Sequence, residues 1–280
     1  MKYLHAVKGS LIAFVIFVLV VVFLPARDSI PNIDLVLTVS TFLFAILCGF
    51  FISRLNMRFD KIIANISDED SYWLSFYRSS KLFGPKFSNK VSNIIDECYT
   101  VMFNSDVGNF YYKDTTPYVE ALYKELDKLK MPASKKSPVL FRVLLDCLVD
   151  IERTRNQSAV VTRERLTVGQ WLVLGLLAAI IVFCLLFLKL PLVYSEVLTV
   201  LLSTILILVL LIIRDLQNLK LGGYALSVES GQEVFESLGK LRYYPSFLIE
   251  DGTIKVPKHV KKYRLGTGGK KNGFKIVTNR

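Results

Sequence analysis

The sequence predicts an all-α membrane protein with four transmembrane helices in two hairpins, a helical cytoplasmic region and a minor β-hairpin in the tail. Three observations carry this. Four apolar runs, Leu11–Leu24, Ile33–Ile52, Trp171–Leu188 and Leu192–Ile213, come in two close pairs. They approach or reach the ~20 residues that cross a hydrocarbon core as a helix, and charge enters them only near their outer ends, at Asp34 and Glu196. A polar stretch, Ser53–Gln170, separates the pairs, and a polar tail, Arg214–Arg280, follows them. With 52% hydrophobic residues and a mean hydropathy of +0.42, the 280-residue chain can supply a membrane bundle and a modest soluble part. The expected division is 1–52 as the first hairpin, 53–169 as the cytoplasmic insertion, 170–213 as the second hairpin and 214–280 as a basic cytoplasmic tail.

The first run follows Lys2 and Lys8, as the core of a signal peptide would. Its exit, Leu24-Pro25-Ala26-Arg27-Asp28, lacks a small-x-small cleavage site, which favours a retained helix. The second run continues in helical period through Leu55, Phe59, Ile62 and Ile66. Ser67-Asp68-Glu69-Asp70 then reads as a capping box that opens a new helix through Trp73 and Tyr77, a cheaper use of these acids than a cation site. Gly84-Pro85 ends that helix. Ser88–Phe103 carries Val91, Ile94, Ile95, Cys98 and Met102 at helical spacing, and Asn104–Asp114 is expected to be a loop. Thr116-Pro117 starts a helix that runs to Leu129, and Pro132–Lys136 is a break. From Val139 the apolar residues Leu140, Val143, Leu144, Cys147, Leu148 and Ile151 recur at helical spacing, with no proline before the third run. One helix over Val139–Leu188, about 75 Å long, is expected. In the tail, Arg214–Leu221 extends the fourth span, Ser230–Leu241 is helical, and Phe247–Val256 forms a β-hairpin about Asp251-Gly252. Lys258–Arg280, basic and glycine-containing, is expected to be mobile.

Charge placement orients the spans. Of the 35 Lys and Arg, 33 fall on the side of the termini and of Ser53–Gln170, with 21 of the 24 Asp and Glu. That side carries +12 and the other −1, so the positive-inside rule places both termini in the cytoplasm of a multi-pass protein of the inner (plasma) membrane. Attraction to anionic lipid accounts for the excess charge, and no nucleic-acid motif accompanies it.

No catalytic set is present, so the chain is not read as an enzyme. Gly266-Thr267-Gly268-Gly269-Lys270 lacks the spacing and the following Ser or Thr of a phosphate loop. The four cysteines, Cys48, Cys98, Cys147 and Cys184, form no C-x-x-C pair, and only His5 and His259 could add imidazole, so no metal site and no cofactor is expected. Asp146, Asp150 and Glu152 lie on one helix with Arg142, Arg153 and Arg155. Pairing within the helix is expected, with a buried pair between helices as the alternative.

No Asp, Glu, Lys or Arg lies near the middle of any span, which argues against pumps and voltage sensors and leaves a passive path. The second run is the candidate lining. Phe42, Ile46 and Phe50 fall at i, i+4 and i+8, beside Thr38, Thr41 and Gly49. A ring of such stripes makes a hydrophobic constriction, and packing or lipid contact explains the same pattern.

The stretch Val39-Ser40-Thr41-Phe42-Leu43-Phe44-Ala45-Ile46-Leu47-Cys48-Gly49-Phe50-Phe51-Ile52-Ser53-Arg54 resembles the bestrophin-like prokaryotic membrane family, distant relatives of the bestrophin anion channels. Asp150-Ile151-Glu152-Arg153, Arg163-Glu164-Arg165-Leu166 with Trp171, Arg214-Asp215-Leu216, Gly222 and Tyr243-Tyr244-Pro245 extend the resemblance over Leu11–Pro245. It implies a homo-oligomer, a pentamer in true bestrophins, with anions as the permeant species and the neck at Phe42, Ile46 and Phe50, with Thr38 and Thr41 as polar lining. The acidic cluster that follows the fourth span in true bestrophins is missing: Asp215 is followed by Gln217 and Asn218, so calcium gating is not carried over. A membrane scaffold that binds a cytoplasmic partner or anionic lipid is the alternative function.

Overall fold

A computed structural model describes residues 4–25, 31–104, 114–129, 137–219, 223–250, 252, 254–267 and 273–279. It forms two compact units, Met1–Phe59 with Arg165–Leu221, and Asp60–Glu164 with Gly222–Arg280. The helices are α1 (Leu4–Phe23), α2 (Ile33–Ser80), α3 (Pro85–Asn104), α4 (Thr116–Asp127), α5 (Ser137–Arg163), α6 (Val168–Phe187), α7 (Val193–Gln217), α8 (Gly223–Ser237) and the short α9 (Ser246–Glu250). Four helices are long and apolar enough to cross a membrane, one for each run read in the sequence.

In the first unit α1 lies along α7, closing the two sequence hairpins α1/α2 and α6/α7 into one bundle. A Cβ on Gly9 would fall 2.8 Å from Leu211 Cδ1, so glycine lets the two helices approach. The core joins Phe44, Cys48, Phe51 and Leu55 of α2 to Leu174, Ala178 and Ile181 of α6 and to Leu206, Ile213 and Leu216 of α7. At the far end Lys189, in the α6–α7 turn, donates to the carbonyls of Val21 (2.5 Å) and Leu24 (2.6 Å) and lies 3.6 Å from Glu196. A cation there satisfies carbonyls that the end of α1 leaves open.

The second unit is built on α3. Val91, Ile95, Cys98, Tyr99, Met102 and Phe103 are buried on one face, and Val119, Leu122 and Leu126 of α4 are buried as well. Tyr99 meets Trp73, Phe103 and Phe235 edge-on at 5.8–6.3 Å between centroids. A Cβ on Gly231 would lie 2.5 Å from Phe103 Cζ, so glycine is needed where α8 meets α3. Strands β1 (Tyr243–Pro245), β2 (Lys262–Gly266) and β3 (Phe274–Thr278) form a sheet in that order, β1–β2 parallel and β2–β3 antiparallel.

Four expectations are corrected. No new helix opens at Ser67: α2 runs on for 48 residues. Ser71 donates to the Ser67 carbonyl at 2.8 Å, and Glu69 and Asp70 turn inward to side-chain donors instead of capping amides. The long helix over Val139–Leu188 is interrupted at 164–167, between α5 and α6. There Thr167 and Gln170 form a capping box: the Thr167 amide donates to Gln170 Oε1 (2.8 Å) and the Gln170 amide to Thr167 Oγ1 (3.4 Å). The Leu166 amide is taken by Gln217 Oε1 at 3.1 Å. The tail does contain a β-hairpin, but it is β2–β3 and not Phe247–Val256. Ser246–Glu250 is helical, and Gly252 (φ +75°) follows it with its amide donating to the Ile249 carbonyl at 3.1 Å, the left-handed ending that glycine allows. Asp251 lies outside the described residues. Parts of the expected mobile tail are thereby ordered strands; 268–272, with most of the glycine-rich string considered as a phosphate loop, lie outside the described residues, as do 105–113 of the expected loop and the break at 132–136.

Candidate functional site: the two faces of α2

One stripe of α2 is buried over most of its length. Ser40, Phe44, Cys48, Phe51, Leu55, Arg58, Ile62, Asn65, Glu69, Trp73, Phe76 and Ser80 recur at three- and four-residue spacing. The opposite stripe of the apolar part is not covered by the described residues. Phe42 is 64%, Ile46 40% and Phe50 70% exposed, and Thr38, Thr41 and Gly49 are exposed with them. The sequence-selected residues therefore share one side of one helix, spread from Thr38 to Phe50 over about 18 Å of its axis. Thr38 donates to the Asp34 carbonyl at 2.8 Å, which satisfies its hydroxyl proton within the helix.

The end of this apolar segment is fixed by Gln217, which the sequence did not single out. Arg58 Nη1 donates to the Gln217 backbone carbonyl at 2.8 Å, and Trp171 Nε1 donates to its side-chain carbonyl at 3.0 Å. With the Leu166 amide on the same side-chain oxygen, one residue of α7 ties α2, α6 and the 164–167 break together. Arg214 pairs with the buried Asp215 beside it, at 3.0 Å.

In the second unit α2 contributes a buried carboxylate cluster. Glu69 accepts from Trp73 Nε1 at 3.2 Å. Asp70 accepts from the Tyr99 hydroxyl at 2.5 Å through one oxygen and from the Ser230 hydroxyl through the other. Arg155, also buried, donates to Thr115. Burial pushes the Glu69 carboxyl up to about 7, with the Arg155 charge and the Trp73 donor opposing, and pushes Asp70 up to about 6 against its two donors. Burial also raises the Tyr99 phenol and lifts the Cys98 thiol to about 12, so both stay protonated near neutrality. Among the described residues no group of His, Cys, Asp and Glu converges as a metal site.

Against known protein families, the model of the bestrophin-like domain matches residues 6–230. The chain belongs to the bestrophin-like family. No curated protein matches it, and no solved structure does. In this bestrophin-like protein the matched stretch holds the α2 stripe, Arg58, Gln217 and the carboxylate cluster up to Ser230. It stops short of the three-stranded sheet.

Sequence inspection found the α2 stripe because its signal is periodic. It missed the roles of Gln217, Asp70 and Arg155. Glu69 and Asp70 sit in a string that also fits a helix cap; the sign of their true use was that Trp73, an indole donor, stands four residues after Glu69, on the same helix face. Arg142–Asp146 (3.9 Å) and Asp150–Arg153 (2.7 Å) do pair within α5, as expected, while Arg155 turns to another segment.

Proposed function

We propose that this bestrophin-like protein is a homo-oligomeric membrane channel that passes anions, with Phe42, Ile46 and Phe50 of α2 as its hydrophobic constriction and Thr38 and Thr41 as polar lining. The observation that carries the proposal is the two-sided character of α2. Its core-facing stripe is fully used in packing, while the opposite apolar stripe has no partner among the described residues of its own chain. Five copies around an axis would bring these stripes together. A narrow apolar ring blocks ions because it cannot replace their hydration shell, and it conducts when widened and wetted. With both termini cytoplasmic in the inner membrane, +12 on that side raises local anion concentration.

The test is reconstitution. Purified protein should have the mass of a ring, and replacing Phe42, Ile46 and Phe50 by alanine together should raise its conductance in planar bilayers, with chloride favoured over potassium at low salt. A monomer, or a ring silent in both forms, refutes the proposal. Orientation is checked separately: in intact cells an impermeant thiol reagent should modify a cysteine placed at Asn32 and spare one at Asp127.

A further inference from the structure

The β3 edge of the tail sheet has a feature the channel proposal does not use. β3 pairs with β2 on one side and, among the described residues, with no strand on the other. The Asn279 amide donates to the Lys261 carbonyl (2.9 Å) and the Thr267 amide to the Gly273 carbonyl (3.0 Å). Hydrogen-bonded pairs alternate along an antiparallel ladder, so Lys275 and Val277 bond to β2, while Phe274, Ile276 and Thr278 direct their amides and carbonyls to the open edge. The side chains of these same three residues share one face, where Phe274 is 45% and Ile276 63% exposed. Exposed, apolar and β-branched edges invite strand pairing.

Charge selects the partner. Residues 252–280 hold nine Lys and Arg and no Asp or Glu. Lys255, Lys258, Lys261, Lys262 and Lys275 are exposed, whereas Arg264 is committed to Asp96. Two copies of this hairpin would bring like charge together. A lipid surface would use the charge and leave the strand edge unpaired. We infer that the β3 edge captures an extended, acidic peptide segment of another protein by strand addition: backbone bonds form to Phe274, Ile276 and Thr278, alternate apolar side chains seat on Phe274 and Ile276, and carboxylates lie toward the lysines. The inference is independent of ion conduction.

The experiment uses the full-length protein in detergent and a fluorescent nine-residue peptide of alternating glutamate and valine. Wild type should bind it, less tightly as salt rises. A peptide of the same composition with proline at its centre should bind about tenfold more weakly, because proline removes a ladder donor. Ile276→Pro removes an outward amide and no bond to β2, so the sheet persists while peptide affinity falls by about tenfold. Lys262→Glu with Lys275→Glu should weaken binding and flatten its salt dependence with the edge intact. Peptide binding unaffected by Ile276→Pro overturns the inference. So does failure to bind the peptide, whether the protein binds phosphatidylserine vesicles instead or associates with itself through β3.

Discussion

Arg58 of α2, itself buried, donates to the backbone carbonyl of the half-buried Gln217, the last residue of α7, at 2.8 Å. The last four carbonyls of a helix have no partner within it, and a buried guanidinium supplies one with charge. Arg58→Met keeps the apolar stem and removes the fork. It should lower stability by about 1.5–3 kcal/mol, the scale of a hydrogen bond to a charged group. Thermal unfolding in detergent checks this, and Arg58→Lys should recover only part of the loss.

The break between α5 and α6 gives a paired prediction. Ala159→Pro lies inside α5 and should cost about 3 kcal/mol or more, because proline removes a helical bond and clashes with the turn before it. Arg165→Pro lies between the helices and should cost much less. Gln170→Ala removes one half of the capping box and should cost about 1 kcal/mol. Equal melting temperatures for Ala159→Pro and Arg165→Pro would contradict the break.

The buried carboxylates set a pH dependence. Glu69 and Asp70 have folded pKa values near 7 and 6, above their ordinary 4.5 and 3.8. Between those values the folded state holds more protons than the unfolded one, so their contribution to stability is full below about pH 4 and is lost as pH rises through 7. The melting temperature should therefore fall by several degrees between pH 5 and 8. Glu69→Gln cannot ionise and still accepts from Trp73, so it should flatten the fall over the upper part of this range. Measuring wild type and variant side by side cancels every other titrating group.

Much of this fold was legible in sequence because hydrophobic periodicity reports burial directly. The four spans, the α3 and α4 cores and the shared face of Phe42, Ile46 and Phe50 all follow from spacing. Periodicity does not register a four-residue break that leads straight into a run apolar on every side, so the Thr167–Gln170 capping box is not legible in it. Nor does it distinguish a helix cap from a buried acid. Asp70 is decided by Tyr99 and Ser230, 29 and 160 residues further along the chain. The tail hairpin was misplaced for a similar reason: Asp251-Gly252 is a strong turn signal, but Gly252 ends a helix, while the strands that do pair are joined by a longer segment between Gly266 and Phe274.

The tail sheet depends on Arg264. Its guanidinium grips both Asp96 oxygens, at 2.7 and 3.0 Å, and lies 4.7 Å from the centre of the Phe235 ring. Arg264→Ala would leave the Asp96 carboxylate without its main cation and should cost a few kcal/mol. Limited proteolysis should then cleave after Lys255–Lys262 in the variant faster than in wild type. Arg264→Lys should be intermediate, since an ammonium cannot grip two oxygens in a planar fork.

Accessibility along α2 separates a pore from a lipid-facing helix. With the four native cysteines replaced, single cysteines would be placed at Phe42, Ile46 and Phe50, and at Phe44, Phe51 and Leu55. The second set is buried in the bundle core and should stay unreactive toward a water-soluble thiol reagent. If the first set faces a passage, it should react, more slowly toward the middle of the apolar stripe, and modification should alter conductance. A helix surrounded by lipid gives a different result, because the reagent does not partition into hydrocarbon: both sets would then be silent. A three- to four-residue period in reactivity, with Ser53 reactive and Leu55 protected, is therefore the pattern that the two-sided packing of α2 predicts for a pore.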